Sequence, residues 1–168
     1  TNTARKLTSV AAFGADIYDK EQLMQSRLDF YKASPSGTRA MIALEETVGK
    51  STLDKSLAEL VRIRASQLNG CAFCLDMHVA DARKHGETER RLATIAAWRE
   101  APFFTERERA ALEWTESVTL IAQTRVPDEV WEAVKPHFTE QEISDLTLLI
   151  IAINGWNRIA VSFRKLPE

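Results

Sequence analysis

The sequence predicts an all-α fold, and three observations carry that prediction. After residue 35 almost every segment repeats its apolar positions with helical period. Helix start and stop signals separate those segments: Thr105-x-x-Glu108 and Thr139-x-x-Glu142 read as capping boxes, Asn69-Gly70 and Gly86 as terminators. No stretch alternates with period two between hairpin turns, so strands have no support.

Taken in order, Ser34-Pro35 opens a helix to about Val48, and Gly49 is placed for a left-handed cap. Leu57, Leu60, Val61 and Leu68 then form an apolar stripe closed by Asn69-Gly70. Arg64 falls inside it and must reach water or a carboxylate, because an unpaired buried charge is costly. A further helix runs from about Cys71 to His85 and stops at Gly86; Thr88 caps a shorter one through Trp98, with Pro102 in the next loop. The two capping boxes begin helices reaching about Gln123 and about Phe163, and Pro127 suits the first turn of a helix between them. Trp98, Trp114, Trp131 and Trp156 are expected to fill the core. Residues 146–153 are apolar nearly all round, which predicts a helix buried centrally or in a subunit interface. Asn154, Asn157 and Arg158 follow it and are expected to bond to backbone or to a neighbouring subunit.

At 168 residues and 45% apolar content the chain can bury one substantial core. Its 22 basic and 24 acidic residues are interleaved, which leaves no basic stripe for nucleic acid and no acidic tail. Arg5 and Lys6 ahead of residues 7–13 imitate a secretory signal only faintly: the run is short, interrupted by hydroxyls and followed by Asp16 and Asp19. The most apolar run, residues 146–153, falls far below the ~20 residues that span a bilayer. A soluble cytoplasmic protein is the expectation.

Function concentrates at Cys71-Ala-Phe-Cys74 with His78 four residues on, the only two cysteines of the chain. Cys71, Cys74, His78, Ala82 and His85 recur at helical intervals and share one side, with Asp81 at its edge. Cys71 sits at the helix start, where unsatisfied N–H groups favour a thiolate; His78 lies one turn beyond Cys74 and can exchange a proton with it. Such a closely spaced pair closes too small a loop to staple the fold, so it reads as redox chemistry. Glu59 is the candidate behind His78. In an antiparallel hairpin turning at Gly70, Glu59 lies eleven residues before the turn and His78 eight after it. At ~1.5 Å per residue their heights differ by roughly 4 to 5 Å, within reach of a side chain or a water. Ser56-x-x-Glu59 is equally a capping box, and spacing alone leaves relay and cap level.

His85 reads as a donor at a helix C-terminus, Asp81 as a solvated charge and His137 as structural. A zinc site on Cys71, Cys74, His78 and His85 is disfavoured because all four ligands would come from one short helix. A thioredoxin fold is disfavoured because the segment before Cys71 reads as a helix, not a strand. There is no nucleotide or phosphate loop, and no cofactor is implied.

Residues 59–86, ELVRIRASQLNGCAFCLDMHVADARKHG, strongly resemble the core of the AhpD-like alkylhydroperoxidases in the carboxymuconolactone decarboxylase superfamily. The family pattern is a glutamate twelve residues before a Cys-x-x-Cys with histidine four after the second cysteine, and Glu59, Cys71, Cys74 and His78 fit it position for position. The similarity extends from about Met24 to Asn-Gly-Trp-Asn-Arg at 154–158, which divides the chain into an N-terminal extension, residues 1–23, and one AhpD-like domain, residues 24–168. The resemblance implies an all-helical protein assembling as a trimer or hexamer that reduces hydroperoxides by a dithiol–disulfide cycle. Cys74 would attack the peroxide, deprotonated through His78 and a water by Glu59, and Cys71 would resolve the sulfenic acid. The helix-start argument, by contrast, makes Cys71 the more acidic thiol. Where the best-known member has a histidine before its second cysteine, this chain has Phe73, which predicts weaker activity or a different reductant. The decarboxylase branch lacks the cysteine pair, which argues against lactone decarboxylation. A thiol peroxidase without a cofactor, working with a hydroperoxide and an external dithiol, is the function expected. The alternatives are a general dithiol–disulfide oxidoreductase acting on a protein partner and a redox-sensing oligomer without turnover.

Overall fold

The structure, a computed structural model, describes residues 25–167, and every regular element among them is helical. In chain order these are α1 (Phe30–Ala33), α2 (Pro35–Gly49), α3 (Lys55–Asn69), α4 (Ala72–Lys84), α5 (Glu89–Thr94) continued by a 3-10 turn (Ile95–Ala97), α6 (Glu106–Thr119), α7 (Ile121–Thr124), α8 (Asp128–Val134) and α9 (Glu140–Phe163). The extension expected over residues 1–23 lies outside the described residues.

Helix α3 is the hub of the packing and touches α4, α6 and α9. Leu57, Leu60, Val61 and Ile63 are all buried, so the helix meets apolar neighbours on more than one side. One core forms where α2, α3, α6, α8 and α9 meet, around Val61, Ala111, Leu146 and Ile150. A second fills the space between α3, α4, α5 and α6, around Leu60, Ile63, Ile95 and Leu112. Arg64, the charge within the stripe, reaches a carboxylate as its chemistry requires: Nε donates to Glu116 Oε1 at 2.7 Å, and Trp98 Nε1 donates to the same oxygen at 2.8 Å.

The α3–α4 hairpin turns at Gly70, whose φ of 64° and ψ of 34° cap α3 in the left-handed region. A Cβ there would meet no atom within 4 Å. The backbone conformation selects glycine, since left-handed geometry costs other residues ~1–2 kcal/mol. Both capping boxes form, with Thr105 N donating to Glu108 at 2.7 Å and Thr139 N to Glu142 at 2.8 Å.

Several expectations need correction. Gly49 ends α2 within helical geometry, and the cap is Lys50, whose N–H donates to the carbonyls of Thr47 and Val48. The helix expected to reach Gln123 breaks at Leu120, where Thr124 Oγ1 donates to the Ser117 carbonyl at 2.6 Å and takes up an acceptor the ladder leaves. The sequence reading passed over α1, which Asp29 caps by accepting from Tyr31 and Lys32 N–H groups. Among the tryptophans, Trp98 and Trp114 are core, whereas Trp131 is 41% exposed against Trp114 and Trp156 is only half-buried.

Helix α9 has the length and apolar composition to cross a membrane, more than its eight-residue apolar run suggested. Its position is that of a core helix, contacting α2, α3, α4 and α6 with Leu146, Leu149, Ile150 and Ile153 buried. Leu148, Ile151 and Val161 project from its outer side and stay exposed.

Candidate active site

The helical hairpin places the chemistry. Cys71 is the N-cap of α4, so its backbone is extended and its Sγ turns back to accept the Cys74 N–H at 3.3 Å. Cys74 lies in the first turn of α4, and His78 follows one turn later on the same buried side. Both cysteines are thiols, packed with Ala65 of α3 and with Ile153 and Ala160 of α9.

Glu59 resolves in favour of His78. Asp54 caps α3 by accepting the Leu57 N–H at 3.0 Å, while Ser56 Oγ contacts Glu87, so the Ser56–Glu59 capping box does not form. Instead His78 Nδ1 and Glu59 Oε2 lie 2.9 Å apart across the α3–α4 interface, both buried. A carboxylate only accepts, so Nδ1 carries the hydrogen and Nε2 is left as the nitrogen able to take a proton. The other Glu59 oxygen accepts from Arg62 Nη1 at 2.8 Å, and Arg62 Nη2 donates to Glu45 on α2 at 2.6 Å. Arg62 therefore fixes the carboxylate that fixes the imidazole. The sequence signal for Arg62 was its i,i+3 spacing from Glu59; nothing local pointed to Glu45.

The two sulfurs differ in surroundings. A cavity of about 920 Å³ opens beside them and is lined on one wall by Cys74, His78, Glu59 and Arg62; Cys71 lies behind that wall, and both cysteines are almost wholly buried, 1% exposed for Cys71 and 2% for Cys74. The opposite wall is aromatic, with Phe30, Tyr31, Trp156 and Phe163. Tyr31 stacks on Trp156 with ring centres 6.4 Å apart, and the exposed side chains of Leu28, Ile42 and Met77 continue this apolar lining. Phe73 joins the lining, with the Lys165 ammonium 4.5 Å from its ring centre.

Proton affinity divides within the pair. The Cys74 thiol donates to Cys71, and this bond does most to bring Cys71 down to about 7; burial opposes it, and the Cys74 N–H and the Asn157 amide assist. Cys74 is pushed well up, first by giving its proton to that bond, then by burial and by the charge on Cys71. The dithiol thus yields one proton near neutrality and holds the second between its sulfurs. No hydrogen bond joins His78 to either sulfur among the described residues. His85 caps α4 away from the sulfurs and is exposed, Asp81 is engaged by Lys84 at 2.7 Å, and the His137 carbonyl accepts from Arg107. Among the described residues no three His, Cys, Asp or Glu side chains converge as metal ligands.

The carboxymuconolactone decarboxylase family model matches residues 35–117, which hold the hairpin and all four of Glu59, Cys71, Cys74 and His78. The uncharacterized protein YdfG of Bacillus subtilis is 45% identical over 139 residues, spanning 83% of this chain and 95% of its own length. The chain belongs to the AhpD-like carboxymuconolactone decarboxylase superfamily. A crystal structure of an Agrobacterium tumefaciens protein of unknown function, described as a putative antioxidant defence protein AhpD, superposes with a TM-score of 0.84 at 45% identity, covering 86% of this chain and 99% of that one. The alkyl hydroperoxide reductase AhpD of Hyphomonas neptunium is 28% identical over 91 residues, 54% of this chain and 47% of the relative. Within the AhpD-like fold, the α3–α4 hairpin brings together all four residues that the sequence singled out.

Proposed function

We propose that this protein is a thiol-dependent peroxidase of the alkylhydroperoxidase kind. The observation that carries the reading is the placing of Cys74 on the cavity wall, Cys71 directly beneath it and the Glu59–His78 pair on the same wall. The Cys74 thiolate forms a bond to the outer peroxide oxygen as the O–O bond breaks. The leaving alkoxide departs as an alcohol with a proton delivered from His78, leaving Cys74 as a sulfenic acid. The Cys71 sulfur then displaces hydroxide from that sulfenic acid, giving a disulfide and water. An external dithiol restores both thiols by exchange and is itself oxidised. The alkyl hydroperoxide reductase named among the relatives supports this reading, and a reducing cytoplasm fits a site that must return to the dithiol.

The aromatic wall and the cavity volume favour an organic hydroperoxide over hydrogen peroxide, because apolar area withdrawn from water adds ~25 cal/mol per Å². Stopped-flow mixing of the reduced protein with cumene hydroperoxide is expected to form one disulfide per chain, at least tenfold faster than with hydrogen peroxide. An unchanged thiol count over minutes would rule the peroxidase out. Faster oxidation by a protein disulfide than by any peroxide would favour the dithiol oxidoreductase instead, and oxidation that alters assembly without turnover would favour the sensor. The exposed Leu148, Ile151 and Val161 of α9 support a homo-oligomer, trimer or hexamer, that covers this apolar side. Sedimentation velocity should then show a trimer or hexamer that Ile151→Glu dissociates; a monomer at micromolar concentration would refute it.

A further inference from the structure

Lys165 brings a cation to the cavity with no carboxylate to match it. Arg164 caps α9 in the left-handed region, with φ 53° and ψ 52°, and the Lys165 N–H then donates back to the Ala160 carbonyl at 2.9 Å. This ties the residue to the turn of α9 that packs with the two cysteines. Its ammonium lies 5.0 Å from the ring centre of Tyr31 and 4.5 Å from that of Phe73, the residue before Cys74. The rings attract the cation by their electron-rich faces and leave its charge in place. An ammonium has three hydrogens to give, yet among the described residues no acid pairs with this one. The other two basic groups of the cavity lining, Arg62 and His78, are both held by Glu59. The acids of the lining are engaged elsewhere: Glu45 and Glu59 by Arg62, Asp81 by Lys84 and Asp29 by Lys32, while Glu46 is exposed to solvent.

We propose that Lys165 binds a carboxylate in this cavity, so that the hydroperoxides it selects are those on an apolar chain ending in a carboxylate, such as the hydroperoxide of an unsaturated fatty acid. The substrate class rests on the peroxidase reading. The carboxylate site does not, because an acid with no peroxide bond can occupy it. The volume of about 920 Å³ lies at the upper end of the ~300–1,000 Å³ of small-molecule sites, which leaves room for a long chain. Phe30, Tyr31, Trp156 and Phe163 give that chain an apolar wall, and Lys165 gives its head a charge. Phe73 gains a role as well, since its ring holds the ammonium beside the segment that carries Cys74. A carboxylate suits the place better than a phosphate. Phosphate sites draw on guanidinium forks or several donors, whereas one ammonium matches one charge, and the five acids of the lining would repel a second.

Two measurements test the site. The first compares turnover of linoleic acid hydroperoxide with that of its methyl ester, each below its critical micelle concentration and with a dithiol in excess. At low ionic strength kcat/KM for the acid should exceed that for the ester about tenfold, with the difference in KM, and it should shrink with salt because Lys165 is only half-buried. Lys165→Met keeps an apolar stem across the two rings and should bring the ratio to about one. Lys165→Arg should preserve it, and Lys165→Glu should invert it. The second measurement follows quenching of tryptophan fluorescence by linoleate itself in the reduced protein, where Lys165→Met and Lys165→Glu should each weaken binding about tenfold or more. An acid-to-ester ratio near one in the wild type, or a linoleate affinity unchanged in Lys165→Glu, overturns the assignment. Linoleate binding that requires Lys165, in a protein that no peroxide oxidises, would keep the carboxylate site and sink the peroxidase. Peroxide turnover indifferent to Lys165 would do the reverse.

Discussion

Peroxide turnover in Cys74→Ser is expected to fall to background, roughly 10⁴-fold or more, while Cys71→Ser reacts once and stops with a sulfenate on Cys74. The asymmetry follows from access. Cys74 lines the cavity and Cys71 lies beneath it, so a peroxide meets Cys74 first. The resting proton distribution runs the other way, with Cys71 the more acidic sulfur at about 7 and Cys74 held protonated by the bond it gives to Cys71. These are compatible when the two sulfurs share a proton. Moving it from Cys74 to Cys71 transfers the charge to the sulfur of the cavity-lining cysteine without drawing a proton from solvent. In Cys71→Ser both the sulfur that accepts the Cys74 proton and the charge on it are gone, so the single-turnover reaction survives. The wild-type rate should rise about tenfold per pH unit up to about 7 and level off above it, because thiolate accumulates as the first proton leaves. Trapping with dimedone and mass spectrometry reads the outcome. A sulfenate on Cys71 in Cys74→Ser, with none on Cys74 in Cys71→Ser, would reverse the two roles.

What the sequence disclosed about this site depended on how local each relation is. Cys71, Cys74 and His78 sit within one helix, so helical spacing alone placed them on one side. The link from Glu59 to His78 crosses a hairpin, and spacing brought it level with a capping box; Asp54 decides the matter by taking the cap. Arg62 could have been read from its i,i+3 relation to Glu59, but its second partner, Glu45, depends on how α2 packs on the hairpin. The aromatic wall was illegible for the same reason. Phe30 and Tyr31 stand near the start of the described chain and Trp156 and Phe163 near its end, and they meet because Arg27 N–H donates to the Phe163 carbonyl at 2.9 Å while Phe30 stacks on Phe163. Asn157 was visible as a polar residue in an apolar helix. Only the packing of α9 against α3 reveals that its carboxamide is tied to Ser66 and Asn69.

Glu59→Gln should lower kcat/KM for an organic hydroperoxide by about 10²–10⁴-fold with little loss of fold, the range expected when a histidine loses the carboxylate that orients and charge-stabilises it. Glutamine keeps the volume and can still present an oxygen to His78 Nδ1. The negative charge beside the imidazole is lost, however, and an amide can turn its NH₂ instead of its oxygen to Nδ1, so the ring is no longer held in one tautomer. Arg62 would retain Glu45 at 2.6 Å, so the substitution does not strand a buried guanidinium, and thermal unfolding should shift by only a few degrees. His78→Ala should cost a similar factor, because the two residues act through one proton path. The double variant should then be no worse than the poorer single one, since groups acting as a unit are strongly non-additive. Multiplicative losses in the double variant, or a Glu59→Gln enzyme within threefold of wild type, would show that the 2.9 Å contact between Glu59 and His78 holds the hairpin together and carries no proton.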